Sequence, residues 1–357
     1  MNIAGLGILF SRGRGVAALE LALEQGWVPP VEVEVRGLPS GRLPVYAVAS
    51  DTLADKTVLA KARRADRFTR MAVLAASDAL QDSGLNAGLD RGQLGVIVAT
   101  ALGPHAATFS FLDGILDFGD AAVSPTIFSH SVHNAAASYI AMALDVRGPT
   151  LTLTHFHFAF HQAILLARTW LEAERCDAVL VGAVDELGSV MHYVSGRMLN
   201  PAADGRIKPF AFSSAPEAVP GEGSVFFLLT RTGAGYGLVA DVIQGRAKPA
   251  AKAGALHVLD ACGMAKDETA YSEIVAPDEL VAGYAPLFGS LMTGSAFNAA
   301  AGAVMLKRQK RYASPVLDNP HNIPVCRKTE TATLNDVLCS RLDCAGGRVA
   351  LHMVRSP

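Results

Sequence analysis

Residues 148–186 read GPTLTLTHFHFAFHQAILLARTWLEAERCDAVLVGAVDE. Thr150 to Thr154 alternate polar and apolar, the pattern of a half-buried strand. A sharp turn at 155–158 follows, and a long helical stretch leads from it into CDAVLVGAV, a continuous apolar run of strand length. Such a turn is where many enzymes mount a nucleophile. Here it offers His155, Phe156, His157 and Phe158, and neither Ser nor Cys occurs before Cys176. Imidazole and phenyl rings occupy a nucleophile's pedestal.

Outward from this stretch the same alternation continues. Ile3 to Phe10 reads as a strand, VAALELALEQG as a helix, FTRMAVLAASDALQDSGL as a long helix stopped by Gly84, and LGVIVAT as a buried strand. HNAAASYIAMAL is helical, and SVFFLLT and YGLVADVIQG are strands on either side of the Gly-rich TGAGYG. That turn is the expected seam between two halves, residues 1–234 and 235–357. The second half echoes the first. AKAGALHVLDACGM is expected as a helix, SEIVAP as the strand after it, FNAAAGAVMLKRQ as a small-residue helix, and DVLCSRLDCAGGRVALHMV as a closing hairpin. A duplicated α/β unit is the economical reading.

The 357 residues are 50% hydrophobic and 18% charged with a net charge of −2, which suits a large core and argues against general nucleic-acid binding. The mean hydropathy of +0.28 points to extensive burial, including an oligomer interface. No apolar run approaches the roughly 20 residues of a membrane helix, and no basic leader precedes the first strand, so a cytoplasmic protein without membrane insertion is expected. Five scattered Cys without CxxC spacing indicate neither a disulfide framework nor a zinc knuckle. His157 and His161 share a helical face at i, i+4, but no third ligand is specified, so no metal and no cofactor is expected.

Seven stretches resemble, in order, the β-ketoacyl synthases of the thiolase superfamily: IAGLGILFSRG, DRFTRMAVLAASDAL, SPTIFSHSVHNAAASYIAMALDVRGPT, CDAVLVGAVDE, KPFAFSSAPEAVPGEGSVFFLL, GSLMTGSAFNAAAG and CAGGRVALHMV. The resemblance implies an α/β thiolase-like fold, with duplicated halves in a five-layered α-β-α-β-α arrangement that dimerises through GPTLTLT. It also implies a nucleophilic Cys at a helix amino terminus and two His that assist decarboxylation and stabilise the oxyanion. The Cys position falls on His157. The first His belongs to a short motif after a strand, expected at Pro277 or its neighbours; the second falls on Ser295, and the Lys that usually precedes it on Ser290. All the groups that do the chemistry are absent together, while Pro209, Phe210, Gly221, Glu222 and Gly223 keep the family's structural turns.

The resemblance therefore points to a non-catalytic subunit similar to the chain-length factors of type II polyketide and aryl-polyene systems. Its expected partners are an active ketosynthase, in a heterodimer, and an acyl carrier protein. Phe109, Phe111, Leu112, Ile115, Phe128, His130, His133 and Phe156 are the candidate channel and interface residues. Lys61, Arg63, Arg64, Arg67 and Arg70 decorate what reads as one helix from about residue 57; Arg63, Arg64 and Arg67 are candidates for docking an acidic carrier, against the plainer reading of a solvated basic face. Glu222 reads as a buried structural carboxylate. Two other functions stay open: an acyltransferase or hydrolase acting on acyl thioesters through His157 and a nearby Ser, and a homodimeric acyl-binding scaffold.

Overall fold

The computed structural model describes residues 1–245, 254–343 and 345–356. Its strands are β1 (Asn2–Phe10), β2 (Gly13–Arg14), β3 (Leu94–Thr100), β4 (Thr150–Thr154), β5 (Ala178–Asp185) and β6 (Gly223–Thr230). They continue with β7 (Leu238–Gly245), β8 (Leu256–Leu259), β9 (Val281–Ala282), β10 (Asp336–Leu342) and β11 (Arg348–Val354). These eleven form one sheet in the order β9-β8-β10-β11-β7-β1-β6-β5-β3-β4, with β2 paired to β1. Two short ribbons lie outside it.

The sheet repeats itself. From β1 outward, β6 and β5 follow in antiparallel steps, and β3 and β4 then run parallel to β5. From β7 outward, β11 and β10 follow antiparallel, and β8 and β9 then run parallel to β10. A single register pair, Asn2 opposite Leu238, joins the two sets. The same order and the same strand senses, taken twice, are the mark of an internal duplication.

The helices are α1 (Val16–Gln25), α2 (Arg67–Asp82), α3 (His105–Phe118), α4 (Pro125–Ser131), α5 (Ala135–Leu144), α6 (Ala159–Glu172), α7 (Ser189–Met198), α8 (Tyr271–Ile274), α9 (Ala285–Phe288) and α10 (Gly294–Arg308). Period-2 alternation sends Ile97, Val181, Val225 and Phe227 to one core and Val96, Leu180, Phe226 and Leu228 to another. The second core lies under α2 and α5. The first holds α6 and α10 together with side chains from both strand sets, so these helices form the middle layer. Helix α10 is buried from Gly294 to Leu306, as a helix apolar on all sides must be. On β1, Gly5 and Gly7 let α2 lie close: a Cβ at either position would come within 2.1 Å of a carbonyl oxygen of α2. Helix α2 is capped by Asp66, whose carboxylate accepts from the Thr69 amide at 2.9 Å, a bond worth about 1 kcal/mol.

Three expectations are corrected. The helix expected over 251–264 is instead strand β8 at Leu256–Leu259; residues 251–253 lie outside the described residues. The strand expected at SEIVAP is the helical turn α8. Both runs are short and apolar, and periodicity alone does not separate strand from helix at that length. The basic helix expected from about residue 57 begins at Arg67, where Asp66 supplies the cap.

Candidate functional site

The turn after β4 delivers its rings to the first turn of α6. The imidazole Nδ1 of His155 accepts from the amides of His157 at 3.2 Å and Phe158 at 3.1 Å, and its ring stacks on Phe158 with centroids 5.6 Å apart. His157 is half-buried and its Nδ1 has no partner. Burial and then the Arg341 charge push its pKa down to about 4. His161 is 1% exposed with neither ring nitrogen partnered, edge-on to Phe158 and Phe160. The same two causes lower its pKa to about 3. Both imidazoles are neutral at pH 7. Among the described residues, no group of three or more His, Cys, Asp or Glu is placed to hold a metal ion.

Opposite them stands a buried ion pair. Arg341, at the end of β10, pairs with Asp260, just past the end of β8, and donates to the Leu291 carbonyl at 3.1 Å. Against the desolvation of burial, the Asp260 carboxylate holds the guanidinium charged. Asn298 donates to Asp260 at 3.0 Å. Helix α10 begins against this pair: a Cβ on Gly294 would stand 3.0 Å from an Asp260 oxygen. Ser295 follows, 2% exposed, its hydroxyl unpartnered. Ser290 is fully engaged, donating to the Cys262 carbonyl and accepting from the Val219 amide at 3.0 Å.

Pro277 is corrected. It is exposed, beyond α8, and no strand leads into it. The segment that follows a strand is Asp260-Ala261-Cys262-Gly263, directly after β8. Cys262 lies at the site, its Sγ 3.8 Å from the Leu291 carbonyl, and burial raises its thiol far above the ordinary range. Sequence reasoning missed Cys262, Arg341 and Asp260. Cys262-Gly263 was a readable signal, masked by the helical reading of its strand.

A pocket of about 40 Å³ lies behind this site, lined by His105, Glu186, Met191, Met264, Met292 and Ser290 among others. That volume holds a few water molecules. Burial raises the Glu186 carboxyl to about 7, and the unpartnered His105 Nδ1 stands 3.8 Å from it. None of the eight expected channel and interface residues lines this pocket. All but His130 lie on or near the outside. Phe109, Leu112, Leu116, Phe118, Phe128 and Phe156 are 38% to 81% exposed, and Phe111 packs on Phe128 with centroids 5.4 Å apart. Ile115 is half-buried and His133 exposed, while His130 is turned inward, 3.0 Å from the Tyr139 hydroxyl. Strand β4 is a sheet edge, hydrogen-bonded on one side by β3.

Arg67 is also corrected as a surface cation. Its guanidinium binds the buried Glu222 carboxylate and the Val48 carbonyl. Glu222 accepts in addition from the amides of Val48 at 2.8 Å and Leu187 at 2.9 Å, so the pair ties three segments together. Arg70 donates to the carbonyls of Arg63 and Ala65. Arg63 and Arg64 remain exposed and share a surface groove with Lys61, Tyr139 and Met142; Arg91 and Arg147 line an adjoining one.

A family model described as "Beta-ketoacyl synthase, N-terminal domain" matches residues 36–234, more than half of the chain. The chain belongs to the β-ketoacyl synthase family. A curated relative, the chloroplastic 3-oxoacyl-[acyl-carrier-protein] synthase I of Hordeum vulgare, is 22% identical over 129 residues, 34% of this chain and 28% of the relative. The match thus spans less than a third of that relative's length. A β-ketoacyl synthase from Burkholderia phymatum aligns over 99% of both chains with a TM-score of 0.79 at 16% identity. The ishigamide ketosynthase/chain length factor aligns over 99% of this chain and 98% of that one, with a TM-score of 0.77 at 17% identity. A type II ketosynthase solved with its acyl-carrier protein and a bound hexaketide aligns over the same shares, with a TM-score of 0.78 at 15% identity. The ketosynthase-like chain therefore has the thiolase-like fold, a duplicated mixed sheet layered with helices.

Proposed function

We propose that this chain is a non-catalytic, chain-length-factor-like subunit that pairs with an active ketosynthase and helps set product length on an acyl carrier protein. The observation that carries the reading is the joint state of three positions. His157 stands at the mouth of α6 with no thiol, Cys262 follows β8, and Ser295 opens α10. Carbon–carbon bond formation in this family, as the resemblance implies, requires a thiolate and two imidazoles at such places, and groups acting as a unit fail together.

Pairing is supported by the outer face. An unpaired edge strand beside a row of exposed aromatic and aliphatic side chains is the surface that a large, apolar, obligate interface covers. A partner of this kind is named in the ishigamide complex. Of the carrier-docking candidates, Arg63 and Arg64 remain exposed for an acidic carrier, beside Lys61, which pairs with Asp145. The acyltransferase reading is disfavoured because His157 hydrogen-bonds to no serine among the described residues, while the Ser290 hydroxyl is spoken for on both sides. Co-expression with a candidate ketosynthase, followed by purification on one tag, tests the proposal: a one-to-one complex is expected, and a chain that remains alone with an intact ketosynthase present refutes it.

A further inference from the structure

The amides at a helix mouth are the donors that stabilise a thiolate or an oxyanion in acyl-transfer sites. In this chain the two amides just ahead of α6, those of His157 and Phe158, are already occupied. We infer that His155 is a positioning residue that fills the donor site at the mouth of α6 with its own imidazole, so that position 157 has no free amide to offer an anion.

Three observations carry this. First, one nitrogen, His155 Nδ1, accepts from both the 157 and the 158 amide, at 3.2 and 3.1 Å. Accepting there requires the tautomer with its proton on Nε2. Second, the helix has no other cap: the residue before Ala159 is Phe158, which makes no side-chain capping bond. Without His155 these amides would be left open. Third, the imidazole is held in place by parallel stacking on Phe158, with ring planes 10° apart. Buried side chains nearby remain unpartnered, His161 at 1% exposure and Ser295 at 2% among them. The site has kept polar side chains without partners while the amides of His157 and Phe158 are closed.

The inference rests on the proposed non-catalytic role only for why such a closure is tolerated; its test needs neither partner nor carrier. Asn places its Oδ1 where His carries Nδ1, so His155→Asn keeps an acceptor and His155→Ala removes it. The introduced thiol of His157→Cys then reports on the amides through the pH dependence of its alkylation by iodoacetamide, mapped by peptide mass in the full chain. In the His155→Ala background its apparent pKa is expected to fall by about one unit relative to His157→Cys alone, with alkylation at pH 7 about threefold faster. In the His155→Asn background the profile should match the single variant. Identical profiles in the Ala and His backgrounds, or an Asn profile that follows Ala, overturn the inference. Should the Ala variant not fold, amide exchange in the unmodified chain decides: slow exchange at 157 and 158 supports the bond, and exchange at the rate of an open turn overturns it. Condensation by the isolated chain would defeat the chain-length reading and leave these profiles unchanged.

Discussion

His161 is the sharpest test of what the nucleophile helix has become. Its ring is 1% exposed, neither nitrogen has a partner, and its pKa is lowered to about 3, by burial first and by Arg341 second. In the unfolded chain the ring takes a proton below its ordinary 6.5, whereas in the fold it stays neutral until about 3. Stability from this group is therefore complete above pH 6.5 and falls as pH drops, at about 1.4 kcal/mol per unit. By pH 5 the loss relative to pH 7 is about 2 kcal/mol. His161→Phe keeps the shape, deletes two unsatisfied nitrogens and removes the titration. At pH 7 it should stabilise by about 1–3 kcal/mol, and at pH 5 its advantage should widen by the further ~2 kcal/mol. Urea unfolding of both proteins at the two pH values measures this directly. An advantage that is equal at pH 5 and pH 7 would refute the burial of a neutral, unpartnered ring.

Arg67→Ala should destabilise by about 3–5 kcal/mol, since it leaves the Glu222 carboxylate buried beside only backbone donors, whereas Arg63→Glu with Arg64→Glu should change unfolding by less than about 0.5 kcal/mol and weaken carrier capture mainly at low salt; equal effects in denaturation would contradict the distinction. Asp260→Asn should also lose about 3–5 kcal/mol in urea unfolding because Arg341 then stays charged and buried without its counterion, and a loss below about 1 kcal/mol would place the pair in contact with water. Phe109→Ala and Leu112→Ala, on the exposed face of α3, should each leave the folded subunit within about 1 kcal/mol of the parent and lengthen the product of the co-purified complex; unchanged product lengths in active complexes would remove α3 from the channel.

What could be read in the residues was mostly local. The alternation of Thr150–Thr154 gave the edge strand, and the rings at 155–158 marked a pedestal without a nucleophile. Small residues along α10 announced a helix, and the fold shows it buried on all sides. The tertiary partners could not be read in that way. Arg67 looks like one of five cations in a run, and its carboxylate lies 155 positions further along the chain. Arg341 is one charge inside a strand pattern, paired to a residue 81 positions earlier. The four residues of β8 carry too little periodicity to separate strand from helix, so the segment after it was sought near Pro277, beyond the wrong element. The small pocket draws its walls from several distant segments, and no local pattern announces it.

The central claim is that this chain contributes half of a condensing complex and none of its chemistry. The direct measurement is condensation of acyl and malonyl carriers by the chain alone, by a matched ketosynthase alone and by the two purified together, with intact mass recorded for each protein. The account predicts a one-to-one complex whose acyl adduct resides on the ketosynthase, with no product and no adduct from this chain alone. A self-paired chain that becomes acylated, or that yields β-ketoacyl product without a partner, would contradict it.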